Sequence, residues 1–204
     1  VFDAIGPYVH ACKMMGSMAS QILGHTPKSL KVELAGGLAD ADPAPLLAAV
    51  LDGGLSYRRL GAFSAANAES VASQHGISVT TASVRDAGEY ASSVRIVADE
   101  VEVAATLFGT EHTPRIISLM GYKIDIAPAT TSLVFEYVDA PGRIGVIGTI
   151  LGDAAANITT MQIGTKPEES CALVYMNVEG DVSEAVLDRL RGAIDLRNLW
   201  KITL

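Results

Sequence analysis

Residues Tyr137-Val138-Asp139-Ala140-Pro141-Gly142-Arg143-Ile144-Gly145, with Asn157-Ile158 following twelve residues after Gly145, constrain the fold of this 204-residue chain more than any other stretch. An apolar run, Ser132–Val138, reads as a strand and ends at a Pro-Gly turn. The turn opens an amphipathic helix with Ile144, Ile147, Ile150, Leu151 and Ala154 on one face, and a second strand leaves near Asn157. This strand–turn–helix–strand reading gathers Asp139, Asn157 and the free N–H groups of a helix start at one edge of a small sheet. A zwitterionic amino acid needs that set: an acceptor for its ammonium and donors for its carboxylate. Singly, each residue has a plain structural reading, Asp139 as a helix cap and Asn157 as a turn residue. The combination favours binding.

The remainder of this half continues the pattern. Strands are expected at Ser132–Val138, Asn157–Thr165, Ser170–Val178 and Leu196–Leu204, with helices at Arg143–Ala155 and Ser183–Ala193. Val186, Leu187, Leu190 and Ile194 line the inner stripe of the second helix. The order is βαββαβ, a ferredoxin-like layout with one sheet and two helices on one side. Such a sheet leaves edges open unless it pairs with another copy, so a homodimer or homotetramer is expected. Gly142-Arg-Ile-Gly145-Val-Ile-Gly148 is not a dinucleotide fingerprint: it lacks the G-x-G start and the acidic residue about twenty positions on. Gly145 and Gly148 instead suggest close approach of the helix to the sheet or to a partner.

Residues 1–129 read as a separate α+β domain, and 130–204 as the ferredoxin-like one. Phe2–Leu23 forms one helix, with Pro7 in its first turn and Val9, Cys12, Met15, Met18, Ala19 and Ile22 at helical spacing, a face expected to meet a neighbouring domain. A strand follows at Ser29–Ala35, then a helix from Pro43 capped by Asp42, and a further helix over Ser64–Gln74 with Asn67 as donor or cap. From Ile77 to Ile126 the chain turns to strands: Ile77–Ala82, Ala91–Ala98, Val101–Phe108, Arg115–Leu119 and Tyr122–Ile126, punctuated at Asp99-Glu100 and Gly121. Pro128-Ala129-Thr130-Thr131 reads as a short joint.

Composition narrows the function. Hydrophobic residues make up 49% and charged residues 19%, which supports folded cores and argues against disorder. A formal charge of −8 disfavours nucleic acid as a partner, because phosphate neutralisation needs clustered cations. No apolar run reaches membrane-spanning length, so no membrane partner is expected. Two cysteines, Cys12 and Cys171, fit small buried hydrophobes in a reducing cytoplasm. His10, His25, His75 and His112 are scattered without metal-ligand spacing, so no metal site is expected. No nucleophile elbow or phosphate loop occurs, and no catalytic residue is assigned. Lys28, Lys31, Arg58, Arg59, Arg115 and Lys123 stand out in an acidic chain; where some converge, a phosphate or phospho-acid pocket follows. The chain opens at Val1 without methionine, as a processed or partial polypeptide does.

Gly36-Gly37-Leu38-Ala39-Asp40, the Pro45–Gly53 helix and Gly121-Tyr122-Lys123-Ile124-Asp125 resemble the intervening domain of the longer form of D-3-phosphoglycerate dehydrogenase. The Tyr137–Gly145 segment with Asn157-Ile158 resembles the ACT domain that follows it in that family. The resemblance implies a regulatory half: L-serine held between paired ACT domains by Tyr137, Asp139, Pro141, Gly142, Arg143, Ile144, Gly145, Asn157 and Ile158. It also implies an anion site in the first domain, with Arg115 and Lys123 as candidates, although Ala127-Pro128 stands where a further cation is expected. NAD is expected in upstream domains that these residues do not include, and no cofactor in this chain. The β-type chain of iron–sulfur L-serine dehydratase is also similar at Val1–Pro7. Its Ser-rich segment ending in His-Thr is absent here, and two cysteines fall short of the roughly four thiolates a cluster wants. A third alternative is a free-standing amino-acid-binding module.

Overall fold

The computed structural model describes residues 2–55 and 63–204; Arg58 and Arg59 lie outside the described residues. The fold is mixed α and β with two sheets, and the chain divides into two compact units, Val1–Gly121 and Tyr122–Leu204. In the first unit, α1 (Phe2–Leu23), β1 (Ser29–Gly36), α2 (Ala44–Leu55) and α3 (Ala68–Gln74) precede β2 (Ser78–Val84), β3 (Ser92–Ala98), β4 (Val101–Phe108) and β5 (Thr113–Leu119). The strands of its sheet take the order β2-β1-β3-β4-β5, and β6 (Tyr122–Ile126) opens the second unit. β1 and β2 run parallel, and β3, β4 and β5 form an antiparallel meander beside them.

The methionine face of α1 is a core face. Cys12, Met15 and Met18 are fully buried, and α1 packs within its own unit against α2. The two helices meet through glycines: a Cβ at Gly16 would strike the Val50 carbonyl, and one at Gly53 the Lys13 carbonyl. At the far side of α1, Tyr8 donates through its hydroxyl to the Ser92 carbonyl (3.1 Å), and Thr106 donates to the same oxygen (2.7 Å). The expected helix over Ser64–Gln74 begins only at Ala68. Asn67 turns its Oδ1 back to accept from the Ser64 N–H at 2.8 Å, which closes a turn over residues 64–67 and delays the helix.

The second unit comprises β6, β7 (Thr131–Val138), α4 (Arg143–Asp153), β8 (Asn157–Lys166), a 3-10 turn (Pro167–Glu169), β9 (Cys171–Glu179), α5 (Glu184–Ala193) and β10 (Leu196–Thr203). Its four-stranded sheet has the order β10-β7-β9-β8, with every neighbouring pair antiparallel. The face carrying Leu133, Phe135, Tyr137, Val174 and Met176 packs on Ile147, Leu151, Leu187 and Leu190 from the helices. The unit begins well ahead of Thr130, because the segment from Tyr122 to Ala129 is fastened to this sheet. Tyr122 donates to Glu136 Oε1 (2.9 Å), Asn177 Nδ2 donates to the Ala127 carbonyl (2.9 Å), and the Ala129 N–H donates to Asn177 Oδ1 (3.3 Å). Gly164 lets β6 lie close, since a Cβ there would stand 2.7 Å from the Lys123 carbonyl oxygen.

Candidate effector site

The turn after β7 is shaped by Gly142. Its φ of 87° is a left-handed conformation that glycine adopts without the Cβ penalty, and it sits at the N-cap of α4. No side chain caps this helix, so Asp139 does not act as its cap. Asp139 is exposed, and its backbone N–H donates to the Ser170 carbonyl at 3.1 Å. Pro141, Gly142 and Gly145 are exposed, while Arg143 and Ile144 are half-buried. The Nε of Arg143 is enclosed without a hydrogen-bond partner. Tyr137 is only 2% exposed and belongs to the core beneath the helices, where burial first, and the nearby Asp139 charge second, raise its pKa.

Asn157 and Ile158 are elsewhere in the unit. Val138 and Lys166 both stand opposite Cys171 on β9, whereas Asn157 stands opposite Glu179. Asp139 therefore lies at the end of the sheet where β8 finishes, and Asn157 lies where β8 starts. The ten residues of β8 separate them by roughly 30 Å. The expectation that both residues share one edge of a single sheet is not met. A βαβ connection makes its two strands parallel, so the helix must carry the chain back along the sheet before the second strand begins. Within one chain, then, Tyr137, Asp139 and the Pro141–Gly145 turn form one group at one end, and Asn157-Ile158 another at the opposite end.

The α4 glycines are also placed differently from expectation. Cβ atoms at Gly145, Gly148 and Gly152 would meet nothing within 4 Å, so of the two roles expected for Gly145 and Gly148, close approach to the sheet is not met, and approach to a partner is left as the other. They lie along the helix with exposed Val146 and Thr149 nearby. In the same unit β8 is an edge strand of its sheet, and its Ile163 is exposed.

The candidate anion residues belong to different units. Arg115, on β5 of the first, is half-buried with its guanidinium 5.5 Å from the centre of the Phe108 ring. Lys123, on β6 of the second, is exposed. Sequence reasoning missed Lys166, whose ammonium stands 4.2 Å over the Tyr122 ring and 3.9 Å from Glu169 Oε1. Glu169 is only three residues on, but the ring it stands over belongs to a strand far back in the chain, and local spacing does not show that contact. Among the described residues no helix is long and apolar enough to cross a membrane.

A meander-bearing α+β unit followed by a βαββαβ unit with a glycine-opened helix defines the class of this chain, a two-unit protein of mixed α and β structure. The family model of the D-3-phosphoglycerate dehydrogenase intervening domain matches residues 4–120, and the chain belongs to that family. It is 27% identical over 209 residues to D-3-phosphoglycerate dehydrogenase of Mycobacterium tuberculosis, covering 100% of this chain and 40% of that protein. The same enzyme of Mycobacterium leprae is 29% identical over 209 residues, with 100% and 40% covered. That of Bacillus subtilis is 27% identical over 206 residues, with 100% and 39% covered. The chain thus spans about two fifths of the length of these relatives.

Proposed function

We propose that this chain is the regulatory part of an NAD-dependent D-3-phosphoglycerate dehydrogenase, with the second unit acting as an ACT domain that binds L-serine between two copies. The nucleotide-binding and catalytic domains would belong to the part of the relatives that these residues do not match. The observation that carries the reading is the split between Asp139 and Asn157. Asp139 and the start of α4 lie at one end and Asn157 at the other, so these residues do not meet within one chain. A second copy paired edge to edge through β8 about a two-fold axis runs antiparallel, which turns the Asp139 end of one copy toward the Asn157 end of the other. The free N–H groups at the start of α4 would then take the carboxylate, and the Asp139 carboxylate the ammonium. The glycine face of α4 and the open β8 edge lie on the side where such a copy would sit. Serine bound by both copies favours one placement of the subunits, and its leverage on a distant active site is limited to its differential affinity, typically ~1–3 kcal/mol.

Calorimetric titration of the chain with L-serine tests this, with D-serine, glycine, valine and phosphate as comparisons. Saturable, stereoselective L-serine binding that disappears in Asp139→Ala, with the fold intact by circular dichroism, is the expected result. Equal affinity for the two enantiomers, or unchanged affinity in Asp139→Ala, would refute the assignment.

A further inference from the structure

The turn that carries Asp139 is connected to the first residue of its unit by a short series of contacts. The Asp139 N–H donates to the carbonyl of Ser170, which itself holds a left-handed φ of 51°. The preceding residue, Glu169, pairs at 3.9 Å with Lys166 on the last position of β8. Lys166 stands 4.2 Å over the ring of Tyr122, and the Tyr122 hydroxyl donates to Glu136 Oε1 at 2.9 Å. Asn198 Nδ2 holds the other oxygen of that carboxylate at 2.8 Å. Glu136 is two residues from the end of β7, so the series closes on the strand that leads back to Asp139. Lys166 is 24% exposed by its side chain, well covered for a lysine, and it faces both an aromatic ring and a carboxylate.

We propose that Lys166 is a positioning residue for the effector response: it ties the Asp139 turn to Tyr122, so that a change at the turn is felt where the chain enters the unit. This rests on the effector reading above and adds to it a route by which occupancy is passed on. The side chain suits the task because a cation over a ring holds position through distance and not through a single directional bond. A shift of the 3-10 turn draws the ammonium between Glu169 and Tyr122 without requiring any bond to break.

The test is amide chemical-shift mapping on the whole chain, with two perturbations of the turn: saturating L-serine, and Pro141→Ala without ligand. Both are expected to move the amide resonances of Gly121, Tyr122 and Lys123. In Lys166→Met those movements are expected to vanish while L-serine still binds, and Lys166→Arg, which keeps a cation over the ring, restores them. Lys166→Gln repeats the comparison if Lys166→Met does not fold. Movements at Gly121–Lys123 that persist unchanged in Lys166→Met, or that are absent from the native chain under Pro141→Ala, overturn the proposal. If L-serine fails to bind the native chain, the effector reading falls, and the Pro141→Ala arm decides the Lys166 tie on its own.

Discussion

At Asp99 the chain turns from β3 into β4 with a φ of 48°, and the carboxylate reaches back to the entry of β1. Its oxygens accept from the Lys28 N–H (3.0 and 3.1 Å), the Ser29 N–H (2.9 Å) and the Ser29 hydroxyl (3.0 Å). Burial pushes the Asp99 pKa up, but the hydrogen bonds from the Ser29 and Lys28 backbone outweigh it and leave the pKa below the ordinary value. A carboxyl whose folded pKa is depressed stabilises the fold above its unfolded pKa, about 3.9 for Asp, and loses that contribution as pH falls through the folded value. Asp99→Ala is therefore expected to cost about 1 kcal/mol at neutral pH, since solvent screens this exposed corner, read as a urea midpoint, with the difference from the native chain shrinking below about pH 4. A difference independent of pH would contradict this account of the corner. Asn177 has a similar role in the second unit. It is 4% exposed and bonds Ser132, Ala127 and Ala129, so Asn177→Ala leaves several polar groups unpaired. A loss of about 2–3 kcal/mol in unfolding free energy is expected by denaturant titration.

Among the elements, the helix glycines of the two units behave in opposite ways. Gly16 and Gly53 let α1 and α2 approach until backbone meets backbone, whereas Gly145, Gly148 and Gly152 face open space. Gly53→Ala is expected to destabilise by about 1–3 kcal/mol through collision with the Lys13 carbonyl. Gly148→Ala is expected to stabilise the isolated chain by about 0.5–1 kcal/mol, because alanine favours helix and meets nothing. If α4 is the face on which a second copy sits, the same substitution weakens self-association, and sedimentation at graded concentrations measures that. This contrast explains what the sequence could disclose. Apolar spacing marked the extents of α1, α4 and α5 and, apart from exposed Val9 on α1, the buried face of each, because burial imprints periodicity. It did not disclose what each face meets: Met15 and Met18 were expected against a neighbouring domain, and they lie inside their own. Nor did spacing along the chain reveal that Asp139 and Asn157 are a strand-length apart, which follows from the direction of a βαβ crossover. Lys166, Tyr122 and Glu136 come from three different strands and are joined by side-chain contacts, so no local pattern announced them.

For the whole molecule, the family assignment rests on the match over residues 4–120, and the proposed regulation rests on assembly. A site divided between opposite ends of one unit is incomplete in a single chain and doubled in a symmetric pair, each copy giving an Asp139 end to one site and an Asn157 end to the other. Asp139→Ala and Asn157→Ala should each abolish L-serine binding when alone. Mixing the two variants after reversible dissociation distinguishes a shared site from one built in a single chain, since a mixed pair holds one site with both native residues. The decisive measurement is L-serine titration of that equimolar mixture. Restored binding, at roughly one site per four chains for random pairing, is the predicted result. A mixture as silent as either variant, under conditions where sedimentation shows that mixed pairs have formed, would contradict an effector site completed by a second copy.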